Sequence, residues 1–333
     1  MLGAAADPGH KMAHAPVQRL KTMKMHRVGI IGLGKITQDQ HVPVIGASPS
    51  FELVAVASQR GLTVPGVPHA FTDYAELLRL ADVDAVAVCT PPQVRHAIAL
   101  DALEAGKHVL LEKPPTATVS ELAHLERIAD GRGLTLFATW HSQFNPAVDE
   151  AREFLASRTV RTMFVNWKED VRRWHPGQKW IWRAGGFGVF DPGINALSIV
   201  TKILPEPIFV QRADLSFPAN ADAPIAAEIA FTGRGKDQSL RAEFDWRQTG
   251  PQTWEIEIET ADGKRLQLSN GGSRLVVDGK LVVESKPEEY QRIYERFDEL
   301  LRTGASDVDA QPFQLVGDAF MLGRRITVEP FHD

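Results

Sequence analysis

The sequence lacks several features that define specialised classes of protein. It has one cysteine, Cys89, so no disulfide can form within a single chain, as is usual in a reducing compartment. Its net charge of −5 argues against a nucleic-acid partner, which requires a basic face. No apolar run reaches the length of a membrane-spanning helix. We therefore predict no nucleic-acid partner, no membrane partner and a cytoplasmic location.

Two further absences concern metals and secretion. No spacing of His, Asp and Glu residues resembles a set of convergent metal ligands, so no metal site is predicted. Residues 1–24 include basic and small residues but not the apolar run of a signal peptide. We interpret these residues as a disordered leader and expect the folded chain to begin near Met25.

The remaining chain divides into two patterns, which suits a length of 333 residues. From residue 25 to residue 141, continuous apolar runs such as "RVGIIGLG", "FELVAVAS" and "KHVLLEKPP" alternate with helical segments. Buried parallel strands have this appearance. The alternation predicts an α/β domain with a doubly wound parallel sheet, the Rossmann dinucleotide-binding architecture.

Residues 142–333 show a different pattern, with long strands that alternate apolar and polar residues. Together with the turn sequences "ADGK" and "VDGK", this predicts an α+β domain with a large open, mostly antiparallel sheet. We assign substrate binding and oligomerisation to this domain. One face of such a sheet would expose apolar side chains, so we predict that it binds a twin subunit in a homodimer.

The segment "GIIGLGKIT" predicts a site for a dinucleotide pyrophosphate. Gly32 and Gly34 follow the first strand, and Lys35 and Ile36 begin the next helix. Glycines let the backbone approach a phosphate closely, and the helix start supplies N–H donors. Thr37 stands where a third glycine or alanine is usual. The alternative is an ordinary strand–helix turn.

The end of the second strand favours NADP over NAD. In NAD-binding domains an acidic residue about 20 residues beyond the glycines binds the ribose 2′-hydroxyl. Here the strand ends with Ser58, Gln59 and Arg60, and no carboxylate is present. A hydroxyl and a guanidinium at these positions would instead bind a 2′-phosphate. The alternative is an arginine that is merely solvated.

Two motifs lie where later strands of the same sheet end, the edge at which open sheets bind ligands. "LLEKPP" contains Glu112 and Lys113, and we expect this lysine to face the nicotinamide. "CTPP" contributes to the same cofactor site, and His96 lies one turn into the helix that follows it. The predicted cofactor residues of these motifs are Thr90, Pro91, Pro92, His96, Glu112 and Lys113.

The stretch "VFDPGINAL" places Asp191 and Asn195 four residues apart, on one face of a predicted helix. An aspartate before proline usually caps a helix. The alternative is an active-site surface.

The motifs "GIIGLGKI", "CTPP" and "LEKPP", with the later "DxGxxxxxxV" helix, resemble the Gfo/Idh/MocA oxidoreductases over nearly the whole chain. The resemblance implies acid–base chemistry on a sugar or polyol by Lys113 and Asp191. Asn195 occupies the position where this family commonly has a histidine. An amide can orient a hydroxyl but cannot accept a proton at neutral pH. The acid–base role therefore falls to Lys113 and Asp191.

Within this family, the segment from "NWKEDVRRWHPG" to "DPGINALSIV" is similar to bacterial aldose 1-dehydrogenases that act on L-arabinose and D-galactose. This implies oxidation of an aldose at C1 to the aldonolactone with NAD(P), with Lys113 as proton acceptor. The alternatives are another sugar or polyol dehydrogenase, such as an inositol-type enzyme, and a non-catalytic regulatory protein that binds sugar and nucleotide. Retention of both Lys113 and Asp191 argues against the last.

The aromatic segment "KEDVRRWHPGQKWIW" is interpreted as part of a sugar pocket. Aromatic rings stack on a pyranose while carboxylates bind its hydroxyls, so Glu169 and Trp174 are candidate sugar ligands. His141 and Trp254 are further candidates. Their alternatives are a capping histidine and a core tryptophan.

Overall fold

The computed structural model describes residues 25–235 and 237–332. The predicted leader, residues 1–24, lies outside the described residues. The described chain forms a six-stranded and a nine-stranded sheet. No helix in this part of the chain is both long and apolar enough to cross a bilayer.

The first sheet is entirely parallel, in the order β3-β2-β1-β4-β5-β6, which confirms the predicted doubly wound domain. Its strands are β1 (His26–Ile31), β2 (Phe51–Ala57), β3 (His69–Phe71), β4 (Ala85–Val88), β5 (His108–Leu111) and β6 (Leu136–Ala138). The strand order reverses between β1 and β4, and ligands bind beyond the carboxyl ends at such a point.

Helices cover both faces of this sheet. They are α1 (Val42–Ala47), α2 (Tyr74–Leu78), α3 (Pro92–Glu104) and α4 (Val119–Arg132). A π-helical turn, Thr37–His41, precedes α1 directly. The sequence marks both ends of helix α4. Thr118 and Glu121 form a reciprocal capping box at its start, and Gly133 ends the helix with a φ of 64°.

The second sheet has the order β14-β13-β12-β11-β7-β10-β9-β8-β15 and is mostly antiparallel, as predicted. Two of its strand pairs, β7 with β10 and β8 with β15, are parallel. Its strands are β7 (Val160–Lys168), β8 (Phe209–Pro218), β9 (Ala226–Thr232), β10 (Ser239–Asp245), β11 (Thr253–Thr260), β12 (Arg265–Ser269), β13 (Arg274–Val277), β14 (Lys280–Glu284) and β15 (Arg324–Val328).

The turn sequence "VDGK" joins β13 to β14 as expected for a hairpin. Asp278 and Gly279 have φ values of 48° and 76°. Two successive positive values are what a two-residue turn requires to match the twist of the strands, and Asp-Gly is a favoured pair there.

Helices α5 (Pro146–Leu155), α6 (Val171–Trp174), α7 (Phe190–Ile203) and α9 (Gln311–Leu322) belong to the second domain. Two short 3₁₀ turns, His141–Phe144 and Lys179–Trp182, precede α5 and α7, and a third, Asn270–Gly272, follows β12. Helix α7 is almost wholly buried and runs beneath the large sheet, where Gly193 packs on the ring of Phe244.

The outer face of the large sheet differs from the apolar surface that the strand pattern suggested. Charged side chains from adjacent strands pair across it, in the contacts Lys168–Glu243, Arg161–Glu259 and Arg324–Asp214, and Arg241 pairs with Glu243 along β10. Polar residues alternate with buried apolar residues along β10, from Ser239 to Asp245, and paired opposite charges tolerate water. The apolar argument for a homodimer is therefore wrong, and the homodimer itself stays a prediction.

Helix α8 (Glu289–Thr303) packs on the first sheet, although its sequence lies within the predicted second domain. Its buried residues Ile293, Phe297 and Leu300 join the cluster formed by Val28 and Ile30 of β1. The end of the chain thus returns to cover the nucleotide-binding domain. The predicted division at residue 142 does not apply to this helix, because strand alternation along the sequence carries no information about such a return.

Candidate active site

Asp191 is not a helix cap. Helix α7 begins at Phe190, its N-cap residue is Val189, and no side chain caps the helix. Asp191 lies in the first helical turn and is buried, with 4% of its surface exposed. Its carboxylate does not cap the helix and is therefore available for contacts with other elements. This supports the interpretation of "VFDPGINAL" as an active-site surface over its interpretation as a helix cap.

The carboxylate of Asp191 contacts two basic side chains. Lys113, just beyond β5, places Nζ 3.4 Å from Oδ2 of Asp191 and donates a hydrogen bond of 2.9 Å to its backbone carbonyl. His175, just after α6, places Nε2 3.2 Å from the same Oδ2. The three residues come from separate parts of the chain. Their convergence forms a compact acid–base cluster at the carboxyl edge of the parallel sheet.

The surroundings keep Asp191 ionised. Burial disfavours its charged form, but the neighbouring Lys113 and His175 outweigh this and hold the pKa of Asp191 below its ordinary value. The carboxylate can therefore bind an ammonium or a sugar hydroxyl at neutral pH.

A second buried carboxylate, Glu169, lies beside this cluster. Its Oε1 accepts a hydrogen bond from Nε1 of Trp246, and its Oε2 accepts one from Nε1 of Trp254, both at 3.0 Å. Burial raises the pKa of Glu169 above its ordinary value, although the two indoles, His175 and Lys113 oppose this. Each carboxylate oxygen retains a free lone pair with which to accept a hydrogen bond from a ligand.

Aromatic and amide side chains surround the two acids. The Trp174 ring lies 5.6 Å from that of Trp254, has the guanidinium of Arg173 over it at 4.9 Å, and is 37% exposed, so part of the ring is accessible to a ligand. The side chain of Asn195, one turn after Asp191 on α7, has no hydrogen-bond partner among the described residues. His141 places Nδ1 3.2 Å from Oε1 of Glu289. It is also among the groups that lower the pKa of Asp191.

The glycine-rich turn has the shape that a dinucleotide requires. Gly32 has a φ of 99°, and a Cβ there would lie 3.0 Å from backbone atoms of Cys89 and Thr90. A Cβ on Gly34 would meet no atom within 4 Å, so the space above it is open. Thr37, in place of the third glycine, donates its hydroxyl to the carbonyl of Gly32 at 2.8 Å. Lys35 and Ile36 follow the turn at the start of the helix and are exposed.

Side chains on either side of this turn also suit a dinucleotide. The guanidinium of Arg60 donates to the carbonyl of Leu33 at 3.1 Å, which brings it to the glycine-rich turn, with Ser58 and Gln59 preceding it. The hydroxyl of Thr90, between β4 and Pro91, is buried without a partner among the described residues. An unpaired buried hydroxyl and an open space above Gly34 fit an NAD(P) molecule.

Two predicted cofactor residues face elsewhere. Glu112 is 3% exposed, and its carboxylate is bonded to His41, Tyr290 and the N–H of Lys113. It therefore does not present its carboxylate to the cofactor, which corrects that prediction for the side chain. His96 contacts His124 of α4, with Nε2 3.0 Å from Nδ1. Pro91 and Pro92 lie at the start of α3, as predicted.

Two residues of this region, His175 and Trp246, were not predicted from the sequence. His175 belongs to the aromatic segment "KEDVRRWHPGQKWIW" and follows Trp174 directly, which was the available signal. Trp246, at the end of β10, gave no signal because a tryptophan at a strand end is usually packing. Among the described residues, no group of three or more His, Cys, Asp or Glu side chains is arranged to hold a metal ion.

Comparison with known proteins agrees with this geometry. A model of the Gfo/Idh/MocA oxidoreductase family, described as having an NAD-binding Rossmann fold, matches residues 26–139. Galactose 1-dehydrogenase of Pseudomonas fluorescens is 47% identical over 313 residues, 93% of this chain and 100% of the relative. This chain belongs to the Gfo/Idh/MocA oxidoreductase family.

Two further proteins are also similar to this chain. The crystal structure of a D-galactose-1-dehydrogenase protein from Rhizobium etli aligns with a TM-score of 0.89 and 53% identity, covering 94% of this chain and 100% of that chain. D-xylose 1-dehydrogenase (NADP(+)) 2 of Haloferax volcanii is 27% identical over 303 residues, 83% of this chain and 89% of the relative. Both domains of this chain are therefore those of the family.

The raised pKa of Glu169 is testable by titration. We expect the indole N–H signals of Trp246 and Trp254 to shift together above pH 4.5, the ordinary value for glutamate, because both donate to the carboxylate that gains the proton. In this pH range the folded chain holds a proton that the unfolded chain has lost, so the contribution of Glu169 to stability falls as pH rises. The measurement is a ¹H–¹⁵N spectrum from pH 4 to pH 8.

The control is a variant that cannot gain this proton. Glu169→Gln should abolish the joint shift of Trp246 and Trp254. Indole signals that move only below pH 4.5, or that still move in the Gln variant, would show that another group is responsible.

Proposed function

We propose that this oxidoreductase is an NAD(P)-dependent aldose 1-dehydrogenase that oxidises D-galactose and L-arabinose at C1 to the aldonolactone. The observation that carries the proposal is the buried contact of Lys113 with Asp191 at the cofactor edge of the sheet, directly beside Glu169 and its tryptophans. The 47% and 53% identity to proteins named galactose 1-dehydrogenase supports the choice of sugar.

The chemistry requires the removal of a hydride and a proton. When bound, the nicotinamide cofactor accepts the hydride from C1. The hydroxyl on C1 of the cyclic sugar loses its proton to Nζ of Lys113, and its C–O bond becomes a carbonyl. Because the ring oxygen is already bonded to C1, the product is the lactone. Asp191 holds Nζ in place through two contacts, so that the Lys113–Asp191 pair acts as one proton-exchanging unit.

The remaining polar groups form hydrogen bonds with the sugar hydroxyls. Glu169 and Asn195 supply a carboxylate and an amide for this purpose, and His175, held by Asp191, supplies a ring nitrogen. The exposed part of the Trp174 ring packs on the apolar face of the pyranose, with Trp254 beside it. His141 lies at the edge of this sugar pocket. None of these groups requires a metal ion to act.

The sequence after β2 supports NADP as the preferred cofactor, with NAD as the second. Arg60 is anchored at the glycine-rich turn by its bond to Leu33, and Ser58 precedes it. A guanidinium there can pair with a 2′-phosphate, which NAD lacks.

Replacing Lys113 by Ala should lower kcat by about 10²–10⁴-fold, because the proton acceptor is lost. Affinity for NADP should stay within about threefold, since the pyrophosphate and ribose contacts remain. Steady-state kinetics and a fluorescence titration with NADP measure both quantities. The matched control is Lys264→Ala, a change at an exposed lysine paired with Asp278. A Lys113 variant with turnover within threefold of the wild type would remove this residue from the mechanism.

Replacing Arg60 by Ala should raise the KM for NADP about tenfold or more and leave the KM for NAD nearly unchanged, because only the 2′-phosphate loses its partner. Arg79→Ala, at an exposed arginine of the same domain, is the matched control. Kinetics with both cofactors supply the values. Equal effects on NADP and NAD would show that Arg60 does not recognise the phosphate.

The substrate itself is tested by comparing kcat/KM for three sugars with NADP. L-Arabinopyranose and D-galactopyranose share their configuration at C2, C3 and C4 and differ by one hydroxymethyl group. We expect both to be oxidised with efficiencies within roughly 10–200-fold of each other, the usual range for small differences in filling a pocket. D-Glucose, inverted at C4, should be poorer than galactose by about 10²-fold or more, because a buried polar group loses its partner.

Glucose and galactose oxidised equally well would contradict the sugar-reading roles of Glu169 and Asn195. Absence of NADPH formation with any of the three sugars, by an enzyme shown to bind NADP, would contradict the proposed function as a whole.

A further inference from the structure

Behind Lys113 lies a set of buried polar side chains that takes no part in the proposed reaction. We call it the Glu112 cluster, and it consists of His41, Glu112, Tyr290 and Tyr294. Oε1 of Glu112 accepts hydrogen bonds from Nε2 of His41 at 2.9 Å and from the hydroxyl of Tyr290 at 2.7 Å. Nδ1 of His41 lies 2.8 Å from the hydroxyl of Tyr294. The cluster therefore joins the π-helical turn, the end of β5 and helix α8.

The central pair of the Glu112 cluster is charged and out of contact with water. Burial opposes ionisation of Glu112, but its contacts with His41 and Tyr290 lower its pKa to about 2. For His41, burial by itself lowers the pKa. The neighbours Cys89, Tyr294 and Glu112 outweigh this and raise the pKa of His41 well above its ordinary value. The side chain of His41 is 0% exposed and that of Glu112 is 4% exposed. An imidazolium and a carboxylate thus lie together in the protein interior.

Such a pair needs a reason other than stability. Removing two charges from water costs about as much as their attraction returns, and apolar residues of similar volume often serve as well. Two of the three tyrosines of the chain also complete this one cluster. The cluster is therefore better explained by a requirement for precise geometry than by a gain in stability.

The geometry that the cluster controls is that of the lysine segment. Oε2 of Glu112 accepts a hydrogen bond of 2.9 Å from the backbone N–H of Lys113. The buried guanidinium of Arg95 donates to the carbonyls of Glu112, Pro114 and Thr90. Buried charges therefore hold both polar atoms of the peptide group before Lys113 and the carbonyl of Pro114 after it, while the lysine side chain extends to Asp191.

We propose that the Glu112 cluster is a positioning device for Lys113, through which helix α8 of the C-terminal region helps to set the geometry of the active site. The proposal rests on the proposed function in that Lys113 is the proton acceptor. The members of the cluster are positioning residues, since its hydrogen bond to the site is made to the backbone of Lys113. The ring of Tyr290 also stacks on His141, and Phe at position 290 keeps that ring contact. A misplacement of a reacting group by 1 Å costs as much as about 10²-fold in rate, so a small loss of order here has a measurable effect.

The test uses Tyr290→Phe and Glu112→Gln. Tyr290→Phe removes one hydroxyl from Oε1 of Glu112 and keeps the aromatic ring in the core. The matched control is Tyr74→Phe, which removes a hydroxyl bonded to Asp101 at 2.7 Å, outside the cluster. We expect Tyr290→Phe to lower kcat about tenfold with the KM for sugar and for NADP within about twofold, because the binding groups are unchanged. Tyr74→Phe should leave kcat and both KM values unchanged.

A second readout does not depend on turnover. In protein with ¹³C-labelled lysine Cε, the Lys113 signal is identified by its loss in Lys113→Ala. Tyr290→Phe and Glu112→Gln should shift or broaden this signal, whereas Tyr74→Phe should not. Thermal unfolding of each variant, and kcat expressed per NADP-binding site, separate positioning from simple loss of folded protein.

The outcomes are distinguishable. If the wild type oxidises none of the sugars, the proposed function fails, and the lysine signal still tests the positioning. If Tyr290→Phe lowers the melting temperature but leaves kcat per site and the Lys113 signal as in the wild type, the cluster is only structural and the proposal is overturned. If Glu112→Gln does not fold, Tyr290→Phe decides the matter alone.

Discussion

The contact between Lys113 and Asp191 is the interaction on which the rest of the site depends. It joins the end of β5 in the first domain to the first turn of α7 in the second, 78 residues apart in sequence. Each partner is mostly buried, and each would be costly to bury without the other. The two domains are therefore held in one relative arrangement at the point where cofactor and sugar must meet.

Other buried charges are arranged around this pair with little net imbalance. His175 shares the Asp191 carboxylate on the side of the sugar, and Glu169 is held by the two indoles of Trp246 and Trp254. On the opposite side, Glu112 is paired with His41. Polar groups in a low-dielectric interior interact strongly and are expensive when unpaired. This explains why so many hydrogen bonds of the site are made within the protein.

The large sheet supplies a carboxylate and two indoles to the site. The ends of β7 and β10 and the start of β11 lie side by side, because β7 pairs with both neighbours. They bring Glu169, Trp246 and Trp254 to the same place. Helix α8, by contrast, leaves this domain and covers the first sheet with its apolar face. The chain thus uses its last third to close both the sugar side and the reverse side of the active site.

The sequence by itself determined the doubly wound sheet, the mostly antiparallel second sheet and the glycine-rich turn, because each depends on a local period or a short motif. The joint role of Lys113 and Asp191 was implied by the resemblance to a family, and their contact joins segments 78 residues apart. The sequence did not determine that His175 joins Asp191, that Trp246 binds Glu169, that α8 returns to the first sheet, or that the outer face of the large sheet is charged. Each of these depends on which distant segments become neighbours. Only the tertiary structure decides that, since contacts between distant residues follow from the packing of whole elements and not from the pattern within any one of them.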